Sequence, residues 1–271
     1  MYNRGVEINL NADVLRIADF TWNVNVNFSK IKNEITKLPQ EEIISGTKKL
    51  KVGHSIYDYW LREWRGVDAS NGAALYTADK GTLAGSIVLK AGDTVTTNIN
   101  NGKYHYNGSS IPDYYGSINN TFRYKGFELS LLTTFQKGGR VYDVTYAGLM
   151  DPGNYGSSVH IDALKAWKQP GDITNVPRMD AGQRGISNGA SDRWLTDATF
   201  LNIRNLSIGY SLSQKIVSIM KVRSVRLNLT GENLQIFTKR KGMNVEESFA
   251  GVTSQAYIPS RIIAVGINIT F

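Results

Sequence analysis

The sequence predicts an all-β fold, an antiparallel transmembrane β-barrel with short periplasmic turns at one end and long extracellular loops at the other. Apolar and polar residues alternate along several well-separated stretches, the pattern of strands with one greasy face. The connections between those stretches alternate short and long, the asymmetry of outer-membrane barrels. No run of about 18 apolar residues occurs, so a membrane helix is not expected.

The first stretch, Gly5 to Asn11, sets Val6, Ile8 and Leu10 against Glu7, Asn9 and Asn11. After a brief connection at Ala18 and Asp19, Phe20, Trp22, Val24, Val26 and Phe28 alternate with Thr21, Asn23, Asn25, Asn27 and Ser29. Asparagine is a poor strand former, so its recurrence at alternate positions points to a wet surface such as the lumen of a wide barrel. Lys30 to Lys51 reads as a polar loop broken by Pro39. His54 to Asp68 is dense in aromatic and charged residues on both faces, so its register stays open. One alternative is a strand with its rings at a membrane interface; the other is a strand packed against a long loop. Asp68 to Gly72 carries turn residues, Ala73 to Thr77 returns as a short strand, and residues 79–110 read as loop.

Tyr114 to Gln136 is the cleanest hairpin. Tyr114, Ile118, Phe122 and Tyr124 oppose Ser117, Asn119, Thr121 and Arg123. Beyond Lys125-Gly126, Phe127, Leu129, Leu131 and Phe135 oppose Glu128, Ser130, Thr134 and Gln136. A two-residue connection containing glycine suits a tight hairpin. Lys137 to about Thr199 reads as a very long loop with an amphipathic patch at Ile161 to Trp167, a length that argues for function.

Leu206, Ile208, Tyr210 and Leu212 then alternate with Ser207, Gly209 and Ser211, and Gln214 to Lys221 reads as one or two helical turns. Val225, Leu227 and Leu229 alternate with Arg226, Asn228 and Thr230, and Gln235 to Ser260 is another long polar loop. The last stretch, Arg261 to Phe271, places Ile263, Val265, Ile267, Ile269 and Phe271 on one face and Ala264, Gly266, Asn268 and Thr270 on the other. About nine strands result, an odd count where bacterial single-chain barrels have even ones. With the last residue in the periplasm, the short connections at Asp19, Asp68 to Gly72, Lys125-Gly126 and Gln214 to Lys221 all fall on the periplasmic side.

A length of 271 residues allows one large β-domain or two ordinary ones. The net charge of +8 is scattered. Its tightest groups, Lys48, Lys49 and Lys51, and Lys239, Arg240 and Lys241, read as solvated loop charge, so no nucleic-acid partner is expected. The absence of cysteine removes disulfides, thiolate metal sites and cysteine nucleophiles. His54, His105 and His160 lack metal-ligand spacing, and His160-Ile161-Asp162 has no serine in a nucleophile elbow. Glu246-Glu247 reads as a loop pair without a partner, and Gly138-Gly139 as loop flexibility. No catalytic residue, metal or cofactor is therefore expected, and the chain is not expected to be an enzyme.

Several long segments carry a resemblance: VGHSIYDYWLREWRGVD, GSSIPDYYGSINNTFRYKGFELSLL, WKQPGDITNVPRMD, SDRWLTDATFLNIRNLSIGYSL, GENLQIFTKRKGMNVEESF and RIIAVGINITF. Together, and in this order, they resemble the carboxy-terminal barrel of SusC/RagA-type TonB-linked outer-membrane proteins of Bacteroidetes. The resemblance implies that residues 1–271 are the carboxy-terminal part of a TonB-dependent transporter barrel of about 22 strands. The signal peptide, plug domain and amino-terminal strands would lie upstream. It implies import of glycans or peptides with a SusD-like surface lipoprotein, energy from TonB, ExbB and ExbD through the upstream part, and contact with outer-membrane lipid. The alternatives are an autotransporter-type translocator barrel and a soluble carbohydrate-binding β-sandwich.

Sugar rings stack on aromatic faces, which nominates Trp60, Trp64, Trp167, Arg193 and Trp194 as substrate contacts; the alternative for the tryptophans is that they anchor a loop or a membrane girdle. The resemblance further implies that Ile267, Ile269 and Phe271 are read by the barrel assembly machinery. Loss of Phe271 is then expected to impair assembly more than loss of a residue between Ser248 and Ser254.

Overall fold

A computed structural model describes residues 1–79, 86–88, 92–152, 156–246, 249–253 and 257–271. Glu247, Ser248 and Ser254 lie outside the described residues. The frame is a seven-stranded sheet in which neighbours in sequence are neighbours in space. Its strands are β1 (Tyr2–Ile17), β2 (Phe20–Glu34), β3 (Tyr114–Tyr124), β4 (Phe127–Lys137), β5 (Phe200–Ser211), β6 (Ser224–Thr238) and β7 (Ile262–Thr270), every pair antiparallel.

The alternation is in register across this wall. Ala12, Val24, Asn120, Leu131, Leu206, Gly231 and Ile263 form one row of directly paired residues from β1 to β7. Polar groups on the apolar face find partners there. The Trp22 indole N–H donates to Asn120 Oδ1 at 3.2 Å, and Thr133 Oγ1 donates to the Ile118 carbonyl at 3.2 Å. Among the described residues no second sheet covers this face, as a soluble sandwich would require.

Bulges keep the faces in phase. The register of β1 shifts between Asp13 and Leu15, so Leu15 and Ile17 pair with Trp22 and Phe20 although they stand an odd number of residues from Leu10. In β5 a shift between Ile203 and Asn205 puts Ile203 and Leu206 on one face. Period-two reading fails at such points, which is why it ended β1 at Asn11 and began β5 at Leu206.

Short connections occupy one end of the wall. Ala18 (φ 47°) joins β1 to β2, and Lys125-Gly126 (φ 44° and 87°) joins β3 to β4. A side chain on Gly126 would stand 2.7 Å from the Ser211 carbonyl oxygen, so glycine is required there for space as well as for φ. Residues 212–223, with a helix over Gln214–Ile219, join β5 to β6.

At the opposite end the three long connections fold together into a cap. One of its four-stranded sheets runs Tyr104–Ser109, Asp58–Arg62, Lys48–Lys51, Glu42–Ser45; the other runs Trp64–Val67, Ala74–Thr77, Thr94–Thr96, Ser86–Val88. Tyr59, Leu61, Tyr142, Met150, Ala166, Val176 and Trp194 form its main core, and Ala74, Tyr76 and Ile99 a second.

Four expectations change. The wall has seven strands, because the aromatic stretch His54 to Asp68 and the strand after it belong to the cap sheets. The Asp68 to Gly72 turn therefore lies in the cap, leaving three connections at the short end. The long connections are packed structure, stapled over long sequence distances. Tyr59 Oη donates to the carbonyls of Arg140, at 2.9 Å, and Gly251.

The fourth change concerns the lysine and glycine readings. Lys49 is 8% exposed and pairs with Glu42 at 2.5 Å, while Lys48 Nζ donates to the Tyr57 carbonyl at 2.6 Å. Arg240 Nε pairs with Asp143 at 3.0 Å. None of the three is a solvated loop charge. Gly138 and Gly139 have φ of 72° and 75° with Asp113, Ser110 and Pro112 crowded against them, so close packing, not flexibility, places glycine there.

Candidate functional site

The site is built from the two faces of the wall and the cap above it. On the apolar face, Phe20, Tyr124, Phe127 and Tyr210 form a directly paired aromatic row at the short-turn end, with Trp22 and Phe122 stacked 5.7 Å apart just inside it. Near the cap, Phe28 and Tyr114 lie 5.6 Å apart, Tyr114 and Phe135 6.4 Å apart, and Phe237 continues the row. Eight residue steps separate Phe20 from Phe28, roughly 26 Å along the strand. With the usual tilt this becomes about 20 Å of height, close to an apolar band between interfacial girdles.

The opposite face is polar and hydrogen-bonded to itself. Asn23 Nδ2 donates to Asn11 Oδ1 at 2.8 Å and to Asp13 Oδ1 at 2.9 Å, and Asn27 Nδ2 to Asn25 Oδ1 at 3.2 Å. At the short-turn end, Arg123 and Arg226 donate to the two oxygens of Glu128 at 2.7 and 2.9 Å. At the cap end, the β5 bulge projects Arg204 to Glu246, 3.1 Å away, and Asn202 donates to the same carboxylate at 3.0 Å. Glu246 thus has partners where the sequence offered none. An open recess of about 620 Å³ lies beside this trio, with Asn27, Tyr115, Ser117, Phe200 and Phe249 in its walls. Sequence reading missed the recess because Arg204 sits at the bulge and Glu246 comes from a loop.

Of the residues nominated from sequence, three converge. The Arg193 guanidinium lies 4.5 Å from the Trp64 ring and 4.4 Å from the Trp194 ring, and donates to the carbonyls of Ser187 and Asn175 at 3.0 and 3.2 Å. Desolvation there pulls it down to about 10, and burial holds the neighbouring Tyr76 hydroxyl far above its ordinary value. Trp194 is 1% exposed, with its N–H committed to the Gly189 carbonyl at 3.0 Å. Trp60 stands apart, stacked 6.0 Å from Tyr104 and edge-on 4.8 Å from Tyr106, with Lys49 Nζ 4.1 Å from its ring centre. Trp167 is separate again, its N–H donated to the Ala69 carbonyl at 3.0 Å. His160 Nδ1 accepts from the Asp162 amide at 3.1 Å, which makes this pair a helix cap.

No family model matches the chain. Over 99% of its length it is 26% identical to TonB-dependent receptor P3 of Formosa agariphila and 24% identical to TonB-dependent receptor SusC of Bacteroides thetaiotaomicron. Over nearly its whole length the chain is similar to TonB-dependent receptors, SusC among them. It spans 28% and 26% of those two proteins. Its fold matches part of the solved RagAB peptide transporter with a TM-score of 0.82 at 22% identity, covering 99% of this chain and 29% of that one. A second structure, the RagAB peptide importer in its open-open state, matches with a TM-score of 0.76 at 21% identity. The seven-stranded sheet thus has the fold of part of a barrel wall, open at β1 and β7 within the described residues.

Proposed function

We propose that the chain is the carboxy-terminal barrel segment of an outer-membrane, TonB-dependent importer of glycans or peptides that works with a SusD-like surface lipoprotein. One observation supports this above all. A single continuous sheet carries an exposed apolar face bounded by aromatic rows and, behind it, a face of asparagine ladders and ion pairs. The first suits lipid and the second a water-filled lumen. Energy would come from TonB, ExbB and ExbD acting through other parts of the protein.

Substrate contact is assigned to the rings of Trp60, Trp64 and Trp167 and to the Arg193 guanidinium. The buried Trp194 acts as a positioning residue that holds Arg193. The recess beside Arg204 and Glu246 is the lumenal continuation of this path.

Deleting the gene for the full-length protein should abolish uptake of one glycan or peptide class, with restoration by the intact gene. The protein should fractionate with the outer membrane as a heat-modifiable band. Recovery in the aqueous phase without detergent, or unchanged uptake of every oligosaccharide and peptide tried, would overturn the proposal.

The assembly role of Ile267, Ile269 and Phe271 belongs to the same proposal. Strand addition by the assembly machinery would use the free edge of β7 and alternate side chains of one face. Pulse-chase assembly of a Phe271 deletion should show slower acquisition of the folded form. An unchanged rate with only a lower melting temperature would leave Phe271 as a packing residue.

A further inference from the structure

The aromatic row at the short-turn end is incomplete. It runs from Phe20 through Tyr124 and Phe127 to Tyr210, but the next residues in the same row are Leu227 on β6 and Ile267 on β7. Aliphatic side chains lack the polar edge that holds a ring at the headgroup level. The connection at this point is also unlike the other two, being residues 212–223 with a helix over Gln214–Ile219 in place of a tight turn.

At 3.6 residues per turn, Ile216, Ile219 and Met220 share one face of this helix, with Gln214 and Ser218 opposite. Those three are 43%, 82% and 48% exposed, while Val217 between the two faces is 1% exposed. The helix packs on β6. There Val225 is 5% exposed, whereas Leu227 and Leu229 on the same apolar face are 41% and 43% exposed. The covered residue is the one nearest the helix, so the helix sits over the apolar side of the wall, continuous with the lipid-facing band. Lys215, Lys221 and Arg223 flank it, all exposed, and residues 212–223 contain no acidic side chain.

We propose that this connection is an interfacial membrane foot. Ile216, Ile219 and Met220 insert at the acyl boundary of the leaflet at the short-turn end, and the three cations meet anionic headgroups. It replaces, under β5 and β6, the aromatic row that stops at Tyr210. The expected burial is that of interfacial amphipathic helices, about 5–10 Å into the headgroup and acyl boundary. The inference rests on the membrane reading of the wall.

The chain contains no cysteine, so each label introduced in it is its single thiol site once any cysteine elsewhere in the complete protein has been replaced by serine. The complete protein is reconstituted in vesicles of phosphatidylethanolamine and phosphatidylglycerol, labelled at Ile219→Cys, Met220→Cys or Ser218→Cys. Leu131→Cys serves as the wall reference and Ile173→Cys, at a residue 98% exposed in the cap, as the aqueous one. Collision with oxygen against a water-soluble nickel complex should place the Ile219 and Met220 labels about 5–10 Å below the headgroup surface. Ser218 should lie shallower and Leu131 deeper.

An aqueous reading at Ile219 and Met220 with a deep Leu131 would overturn the foot while leaving the wall in the membrane. Low access to both colliders at Ile219 would mean that another protein covers the helix, and would overturn it too. An aqueous Leu131 would overturn the membrane reading itself, and the foot with it.

Discussion

The wall and the cap handle the same kinds of side chain in opposite ways. In the wall, Val6, Leu10, Ile263 and Val265 are 58%, 57%, 69% and 79% exposed; in the cap, Tyr59, Tyr76 and Trp194 are 0%, 0% and 1% exposed. Removing a large apolar side chain from water is worth about 1.5–3 kcal/mol. The cap gains this from its own contacts, whereas the wall gains it only when something apolar surrounds it. Cap stability is therefore intrinsic, and wall stability, under the proposed membrane location, is conditional on the bilayer. Topology follows the same division. The wall is a sequential meander held by neighbouring strands, while the cap is assembled from three segments far apart in sequence, as the Tyr59 to Gly251 hydrogen bond illustrates.

The sharpest way to separate the two regions is Trp194→Ala. Truncating a buried indole that packs with Tyr146 and caps the Arg193 guanidinium should destabilise the cap by about 3–5 kcal/mol. Hydrogen exchange should quicken across the cap amides, while the heat-modifiable wall in membranes stays folded. Equal loss in both regions would show that the wall depends on the cap and would break the comparison.

The reciprocal test is Val24→Arg or Leu131→Arg. Both positions fall in the central row, four residue steps from Phe20 and four from Phe28 in the case of Val24, which the proposed membrane location puts near the bilayer midplane. Each should cost about 2–4 kcal/mol of folded wall in membranes. Asn25→Arg, on the polar face, should cost far less. Similar damage at Val24 and Asn25, measured as the heat-modifiable fraction, would mean that the faces are assigned wrongly.

The wall was legible in the sequence and the cap was not, for one physical reason. A strand with one apolar and one polar face announces itself by alternation, because every second residue meets the same surroundings; β3, β4 and β7 are readable in this way, and β2 as far as Ser29, although Lys30 to Glu34, read as loop, continue it. Where bulges at Asp13–Leu15 and Ile203–Asn205 shift the phase, the pattern breaks and the strand ends are lost. The cap has short strands buried unevenly and joined by contacts more than a hundred residues apart, so no local period marks Tyr59 or Tyr142 as core. The nominated aromatics followed suit. Residue type picked out Trp64, Arg193 and Trp194, but only the fold reveals that Arg193 lies between the two rings, and nothing local marked Arg204 and Glu246 as partners.

The smallest expected effect is a pH dependence confined to the cap. Lys48 is enclosed between the Tyr59 ring, 3.3 Å from its Nζ, and the Tyr57 carbonyl and Ser110 hydroxyl, to which it donates at 2.6 and 3.2 Å. Burial lowers it to about 7, with the Asp58 carboxylate pulling in the opposite direction. A lysine lowered on folding binds fewer protons in the folded than in the unfolded state between about 7 and its free value near 10.4. Cap stability therefore rises with pH through that window, and below about 7 the cost of the enclosed cation is fully present. Partial solvent access screens the effect, so the rise should be about 1 kcal/mol or less. Lys48→Met keeps an aliphatic stem over the Tyr59 ring and removes the charge, so it should flatten the rise while the wall shows no change. Hydrogen exchange of cap amides at pH 7 and pH 9.5, corrected for intrinsic exchange, reads the difference. A slope that persists in Lys48→Met would assign it to another group; a slope shared equally by wall amides would mean the two regions open together, against the independence that their contrasting burial implies.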